Sequence, residues 1–318
     1  MSLPSYDDLP VDPTKPPRSA WGLWGDDDQL GTINLLDRSC VRRGLACAKQ
    51  GIVFSLNWKL EQPDPPLHGR AALRHNLVPI HDFALDDSYD CFFPQGSSQW
   101  DALCHVGHPE YGYYNGWTRD DFTGKPGTRN GVEHWARRGI VGRGILLDVA
   151  RYLASVGRES RSGETVEFSV EDLEATRQAS GVTYETGDIL LVRTGWMNWY
   201  EQLPTEAREG LAYDASAKLE CPGLSADADM VRYLWDSHFA AVATDNSTFE
   251  AWPHEFEVGK YLHFELLPLL GMPIGELWHM EALAEDCAQD GVYEFLLTSA
   301  PLNKLGGVGS PPNALAIK

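Results

Sequence analysis

Three side chains within seven residues of one another carry the strongest chemical signal in this sequence: Gln99, Asp101 and His105, which follow Gly96-Ser97-Ser98. They offer an amide oxygen, a carboxylate and an imidazole. On a strand, alternate residues project to one face, which sets positions 99 and 101 about 6–7 Å apart along the backbone. Two oxygen side chains so placed can share one cation, and His105, of the same parity, can approach it from one edge. Far along the chain His263 and Glu276 flank a Leu-rich segment with Leu266, Leu267, Leu269 and Leu270, adding a second imidazole and carboxylate. Oxygen donors mixed with imidazole suit Zn²⁺ or Mn²⁺ better than a Cys-based structural site. The plainer alternative stays open at this point: Asp101 caps a turn, and a lone histidine is structural.

Other arrangements fail. No GxSxG elbow is present, which argues against a serine hydrolase of the α/β type. His254-Glu255 begins like a zincin motif, but Val258 stands where a second histidine is needed. Neither GxGxxG nor GxxxxGK[ST] occurs, so a nicotinamide or nucleotide cofactor has little support. Trp100, Tyr113 and Tyr114 are the aromatic candidates for a substrate pocket, although Tyr111, Tyr113 and Tyr114 before Asn115-Gly116 read first as a turn. Asp245 and Asn246, at a strand end, read as caps before they read as groups that orient ligands.

The elements that must hold these residues alternate between strand and helix. Ile145–Val149, Ile189–Arg193 and Ala240–Thr244 are short apolar runs bounded by Gly and Asp, the pattern of strands covered on both faces. Between the first two, Ser169 as N-cap, Asp172 three residues on and Gly181 just past the end predict a helix with Val170, Leu173 and Thr176 inward. A second helix is predicted over 227–235 with Met230, Val231 and Leu234 inward. Phe295–Thr298 reads as a last strand, and the Gly- and Pro-rich tail from Gly306 to Pro312 as loop. The result is a mixed α/β domain.

At 318 residues the chain suits one large domain over 21–318, with the proline-rich residues 1–20 as an extended arm draped over the body or over a partner subunit. The formal net charge of −20 argues against nucleic acid and against anionic membrane surfaces. No stretch approaches the roughly 18 apolar residues that a membrane span needs. The six cysteines show no CxxC pairing and read as reduced thiols of a cytoplasmic enzyme.

The segment GSSQWDALCH, residues 96–105, resembles the signature H-x-x-x-H-x-D-x-x-x-H of the cyclase family, which includes bacterial kynurenine formamidase and isatin hydrolase. Supporting matches run along most of the chain: Trp24 to Asp27, Leu30 to Asn34, Gly139 to Asp148, Gly187 to Gly195, and the close from Ala300 to Leu302 and Gly306 to Pro311. The resemblance implies a swivelling β/β/α-type fold with a mixed central sheet, a divalent metal, hydrolysis of an amide or lactone, and a homodimer or homotetramer. It aligns Asp101 with the signature's ligand aspartate and His105 with its general base. His263 and Glu276 align with the later metal ligands. The first two signature histidines are replaced by Gln95 and Gln99, and a glutamine amide oxygen is a weaker donor than imidazole. The expectation is therefore one ion, Zn²⁺ or Mn²⁺, held by Gln99, Asp101, His263 and Glu276, rather than two, with Gln95 behind it or unrelated.

That set implies a metal-dependent hydrolase opening a small cyclic amide or lactone, or an N-formyl amide, with His105 moving the proton. Similarity to a zinc-dependent dienelactone hydrolase favours a lactone. A cyclase or dehydratase using the same site, or a non-catalytic binding protein with a decayed site, are the alternatives.

Overall fold

The computed structural model describes residues 3–158, 162–212 and 219–318. Its centre is a nine-stranded mixed sheet. In chain order the strands are β1 (Val53–Ser55), β2 (Arg74–His81), β3 (Ala84–Asp90), β4 (Gln99–Asp101), β5 (Ile140–Asp148), β6 (Glu167–Phe168), β7 (Ile189–Arg193), β8 (Gly223–Leu224), β9 (Ala241–Thr244), β10 (Ile274–Glu276), β11 (Glu294–Ser299), β12 (Gly309–Ser310) and β13 (Ala314–Ile317). The large sheet runs β1-β13-β11-β5-β7-β9-β10-β4-β12. Its middle, β5-β7-β9-β10, is parallel, and the strands outside it pair antiparallel.

The parallel strands read as unbroken apolar runs because both faces are covered. Leu146, Leu147, Leu190, Leu191 and Val242 are fully buried, each contributing about 1.5–3 kcal/mol relative to exposure. The helices around the sheet are α1 (Arg38–Cys47), α2 (Glu133–Arg138), α3 (Val149–Ser155), α4 (Val170–Ser180), α5 (Trp196–Gln202), α6 (Thr205–Ala212), α7 (Ala228–Asp236), α8 (Leu262–Leu266) and α9 (Glu281–Asp290). Helix α4 has the expected capping box between Ser169 and Asp172 and ends on a left-handed Gly181. Helix α7 starts one residue later than expected, because the Asp227 side chain accepts from Met230 N and so forms the cap.

Two expected boundaries move. The strand anticipated at Ile145–Val149 begins at Ile140 and stops at Asp148, whose carboxylate caps α3. Gly142 and Gly144, read as punctuation, lie inside it because the neighbours come so close. A Cβ at Gly144 would meet the Phe295 ring at 2.2 Å, and one at Gly44 of α1 would meet Gly142 O at 2.5 Å. The tail read wholly as loop contains β12, which pairs with β4.

The N-terminal arm lies on the body. Tyr6 and Leu9 are buried, Tyr6 N donates to Asp236 at 2.7 Å, and Trp235 Nε1 donates to Pro4 O at 3.0 Å. By contrast, the hairpin β2–β3 stands clear of the core, with Leu77, Leu85 and Tyr89 exposed. The six cysteines are free thiols. Among the described residues no helix is long and apolar enough to cross a membrane.

Candidate metal centre

The candidate site sits where the parallel core gives way to the antiparallel edge. Strand β4 pairs with β10 so that Gln99 faces Glu276 across the ladder and Asp101 faces Ile274. With a side-chain period of two, Gln99 and Asp101 share one face of β4, as expected. The Gly96-Ser97-Ser98 approach is not loose, however. Ser98 is buried, donates through Oγ to Leu277 O and accepts from Trp58 N at 2.7 Å, which ties β4 to the chain beyond β10.

Asp101, His263 and Glu276, all buried, bring one ligand atom each within 4.8 Å of one another. His263 Nε2 lies 3.7 Å from Asp101 Oδ2 and 3.4 Å from Glu276 Oε1. Gln99 Nε2 donates to Glu276 Oε2 at 2.5 Å, while its Oε1 is buried with no partner. Turning that amide over would aim its oxygen at two carboxylates, an arrangement that a cation between them makes favourable. The residues present therefore fit a divalent ion with oxygen and imidazole ligands. Glu276, Asp101, His263 and Gln99, expected to converge from across the sequence, do so.

His105 reaches the group differently from the parity argument. Strand β4 ends at Asp101, and His105 N returns to Ala102 O at 2.8 Å in a turn. The turn brings His105 Nε2 to 3.5 Å from Asp101 Oδ1, with the side chain 26% exposed, so it is the member of the group that solvent reaches.

Sequence reading missed Glu250. This fully buried carboxylate accepts from His263 N at 3.0 Å and from His263 Nδ1 at 2.9 Å. A carboxylate accepts only, so Nδ1 carries the proton and Nε2 faces Asp101 and Glu276. Nothing in the spacing signals Glu250, which lies in a loop thirteen positions before His263.

The electrostatics follow from crowding acids out of water. Burial opposes charging His263, but Glu250, Tyr261 and Asp101 outweigh it and hold the imidazole proton well above its ordinary range. Burial and the neighbouring Asp101 push Glu276 up to about 7. Burial opposes ionising Asp101 too, yet His105, His263 and Arg70 prevail and keep it below the usual carboxylate range. Burial lowers His105, so it is neutral at neutral pH.

The aromatic candidates fare less well. Trp100 points to the opposite face of β4, fully buried, its ring edge-on to Trp278 at 4.7 Å and its Nε1 on Ser299 Oγ. Tyr114 is likewise in the core, with its hydroxyl on Asp28. Neither reaches the ligand group, because strand alternation and core packing claim both rings. Tyr113 is half-buried, packs edge-on to Phe122 at 4.5 Å and borders Gly107, two residues from His105. Gln95 packs against Gly309, the backbone partner of Asp101. Asp245 and Asn246 fix loops, the former accepting from Thr194 N and Gly195 N, the latter donating to Pro222 O.

No curated protein matches the chain. Among solved structures, the crystal structure of a novel cyclase is 32% identical, with a TM-score of 0.82 over 94% of this chain and 97% of that one. Isatin hydrolase A from Labrenzia aggregata superposes with a TM-score of 0.57 at 18% identity, over 83% of this chain and 93% of that one. Isatin hydrolase A from Ralstonia solanacearum gives 0.58 at 17%, over 83% and 91%. The last two show a shared fold. The family model described as "Putative cyclase" matches residues 50–251, more than half of the chain, with Asp101 and His105 inside the match. The chain belongs to the cyclase family.

Proposed function

We propose that this protein is a metal-dependent hydrolase that opens a small cyclic amide or lactone, or cleaves an N-formyl amide. The observation that carries the reading is the convergence of Asp101, His263 and Glu276 within 4.8 Å beside the unpartnered Gln99 oxygen. Zn²⁺ or Mn²⁺ bound there supplies Lewis acidity, polarising a carbonyl and bringing the pKa of water towards about 7.

The chain's own residues do the rest. Glu250 orients His263, and the β4–β10 register sets Gln99 and Asp101 against Glu276. His105, neutral and solvent-reached, accepts the proton of the attacking water and returns it to the leaving nitrogen or oxygen. In a cyclic substrate that leaving group stays attached.

The test is elemental analysis of the purified protein together with turnover of a panel of lactones, cyclic imides and N-formyl compounds. One divalent ion per chain and ring-opening of a panel member are expected. No stoichiometric ion would end the reading. Reaction in ¹⁸O-labelled water distinguishes hydrolysis, which puts label into the product carboxylate, from a cyclase or dehydratase reaction.

A further inference from the structure

The hairpin β2–β3 is built unlike the rest of the molecule. It is a two-stranded sheet of its own, paired with no other strand among the described residues. Every residue of its strands is exposed except Ala84, which is half-buried. A lone two-stranded hairpin is marginally stable at best in water. Nor is this one polar. With a side-chain period of two, His75, Leu77 and Pro79 share one face with Leu85, Asp87 and Tyr89 across the ladder. Asp87 is held there by the His75 ring at 3.1 Å and the Tyr89 hydroxyl at 2.7 Å, and those two rings stack at 5.0 Å. Leu77 and Leu85 are each 63% exposed, and Phe83 at the tip is 92% exposed. Such an apolar row on an unsupported ribbon marks a surface that another molecule covers.

The same chain carries a matching recess. A cleft of about 240 Å³ lies at the root of the hairpin, lined by Leu73 just before β2, by Cys91, Phe92 and Phe93 just after β3, and by Pro63 and Pro66. A cavity of about 150 Å³ already admits a benzene ring, so the cleft has room for the phenyl group of Phe83. The tip cannot reach its own cleft, because eight residues of strand hold the two roughly 25 Å apart. A second copy of the chain can. Two identical hairpins laid antiparallel about a twofold axis place each tip at the other's root, so both contacts form together. Charge follows the same direction. Arg74 at the root bonds the Cys91 sulfur at 3.4 Å rather than a carboxylate, and Asp82 and Asp86 near the tip have no ion pair among the described residues. Glu61 and Asp64 also line the cleft, so the ring rather than the charge decides the fit. The strands supply eight and seven residues and the cleft twelve, which matches the roughly 20–30 residues a side of a stable interface.

We propose that β2–β3 is an exchange arm: two copies of this chain lay their hairpins antiparallel, apolar face to apolar face, and each inserts Phe83 into the cleft at the root of the other. The contact supplies the hairpin with the packing it lacks within one chain. It also bears on the candidate metal centre from behind. Phe93 and Gly96 line the cleft, Gly96 N donates to Phe93 O at 2.8 Å, and Gly96 lies three residues before Gln99 of β4. The second copy's ring therefore packs against the segment that leads into the ligand strand. The proposal does not depend on the hydrolase reading, since nothing in it involves the ion or a substrate.

Sedimentation of the full-length protein at micromolar concentration, with and without the substitution Phe83→Asp, is the first half of the test. The wild type is expected as a dimer or a multiple of one, and Phe83→Asp is expected to halve the particle mass. Circular dichroism checks that the variant is folded, which a side chain this exposed permits. The second half uses the half-buried free thiol of Cys91, already in the cleft. Phe83→Cys oxidised with diamide is expected to give a covalent dimer on a non-reducing gel, joined from the introduced thiol to Cys91 of the other copy. Adding Cys91→Ser is expected to abolish that band. A wild-type monomer overturns the proposal, as does a particle mass that Phe83→Asp leaves unchanged. A cross-link that survives Cys91→Ser places tip against tip and overturns the exchange.

Discussion

Glu250 Oε1 takes both hydrogens that His263 presents, the backbone N–H at 3.0 Å and the ring Nδ1–H at 2.9 Å, so one buried carboxylate fixes the position and the tautomer of that imidazole. The double contact also explains why α8 begins where it does. His263 is the second residue of this five-residue helix, and its backbone N–H has no intrahelical acceptor. Glu250 satisfies an orphan of the helix terminus and a ring nitrogen with the same oxygen. The Nε2 atom is then left to point at Asp101 and Glu276.

Glu250→Gln tests that relationship with almost no change of shape. An amide can donate to Nδ1, which permits the tautomer with the proton on Nε2. Loss of such a carboxylate partner weakens metal affinity by about 10- to 100-fold. Zinc titration of the variant, with circular dichroism to check folding, is expected to show a drop in that range. Affinity within twofold of wild type would remove Glu250 from the site.

Asp101 and His105 separate binding from proton transfer. Asp101 is buried and lies 3.7 Å from His263 Nε2, so Asp101→Ala is expected to abolish both metal uptake and turnover. His105 is neutral, partly exposed and attached by a turn, so His105→Gln should keep one ion per chain. Its kcat on whichever panel compound wild type hydrolyses should fall by about 10²- to 10⁴-fold, the range for removing a general base. Loss of the ion from His105→Gln would make His105 a ligand instead.

Metal uptake should release protons. The His263 proton is held well above its ordinary range and Glu276 titrates near 7, and a cation at Nε2 and Oε1 competes with both. Protonated forms that cannot bind metal dominate at low pH, so apparent affinity must rise as pH increases from 6 to 8. Calorimetry in buffers of different ionisation enthalpy is expected to show about one proton or more released per ion. A flat or falling affinity over that window would contradict the ligand assignment.

Much of this was legible in the chain, for identifiable reasons. Ile189–Arg193 was readable to the residue because a strand buried on both faces needs an unbroken apolar run, and Ser169, Asp172 and Gly181 announce α4 through capping chemistry that is local. Asp101 and Gln99 followed from strand parity, whereas His263 and Glu276 were candidates by residue type that the family resemblance then aligned with the later ligands, since the β4–β10 register is a long-range fact. What escaped depended on packing. Trp100 reads as a pocket aromatic until alternation turns it into the core. Gly142 and Gly144 read as the boundary of a strand until α1 and Phe295 are seen pressed against them. Glu250 has no local pattern at all, because its partner, His263, lies in a different element thirteen positions on.

Gly275 gives the last test, of the backbone that carries Glu276. It lies in the middle of β10, where a Cβ would stand 2.7 Å from Ala243 Cβ and 2.7 Å from Trp278 Nε1. That indole nitrogen donates to Gln99 O at 2.9 Å, so an intruding methyl has to move β9, β10 or the Trp278 link to β4. Overpacking of this kind costs about 1–3 kcal/mol, and any shift of β10 carries Glu276 with it. Gly275→Ala is therefore expected to lower both the melting temperature and zinc affinity. Gly210→Ala serves as the comparison: it lies in helix α6 with nothing within 4 Å of the added Cβ, and the change favours a helix by about 0.5–1 kcal/mol. It should leave zinc affinity untouched and the melting temperature equal or slightly raised. If Gly275→Ala behaves as Gly210→Ala does, the close contact of β10 with Ala243 and Trp278 does not position the ligand group.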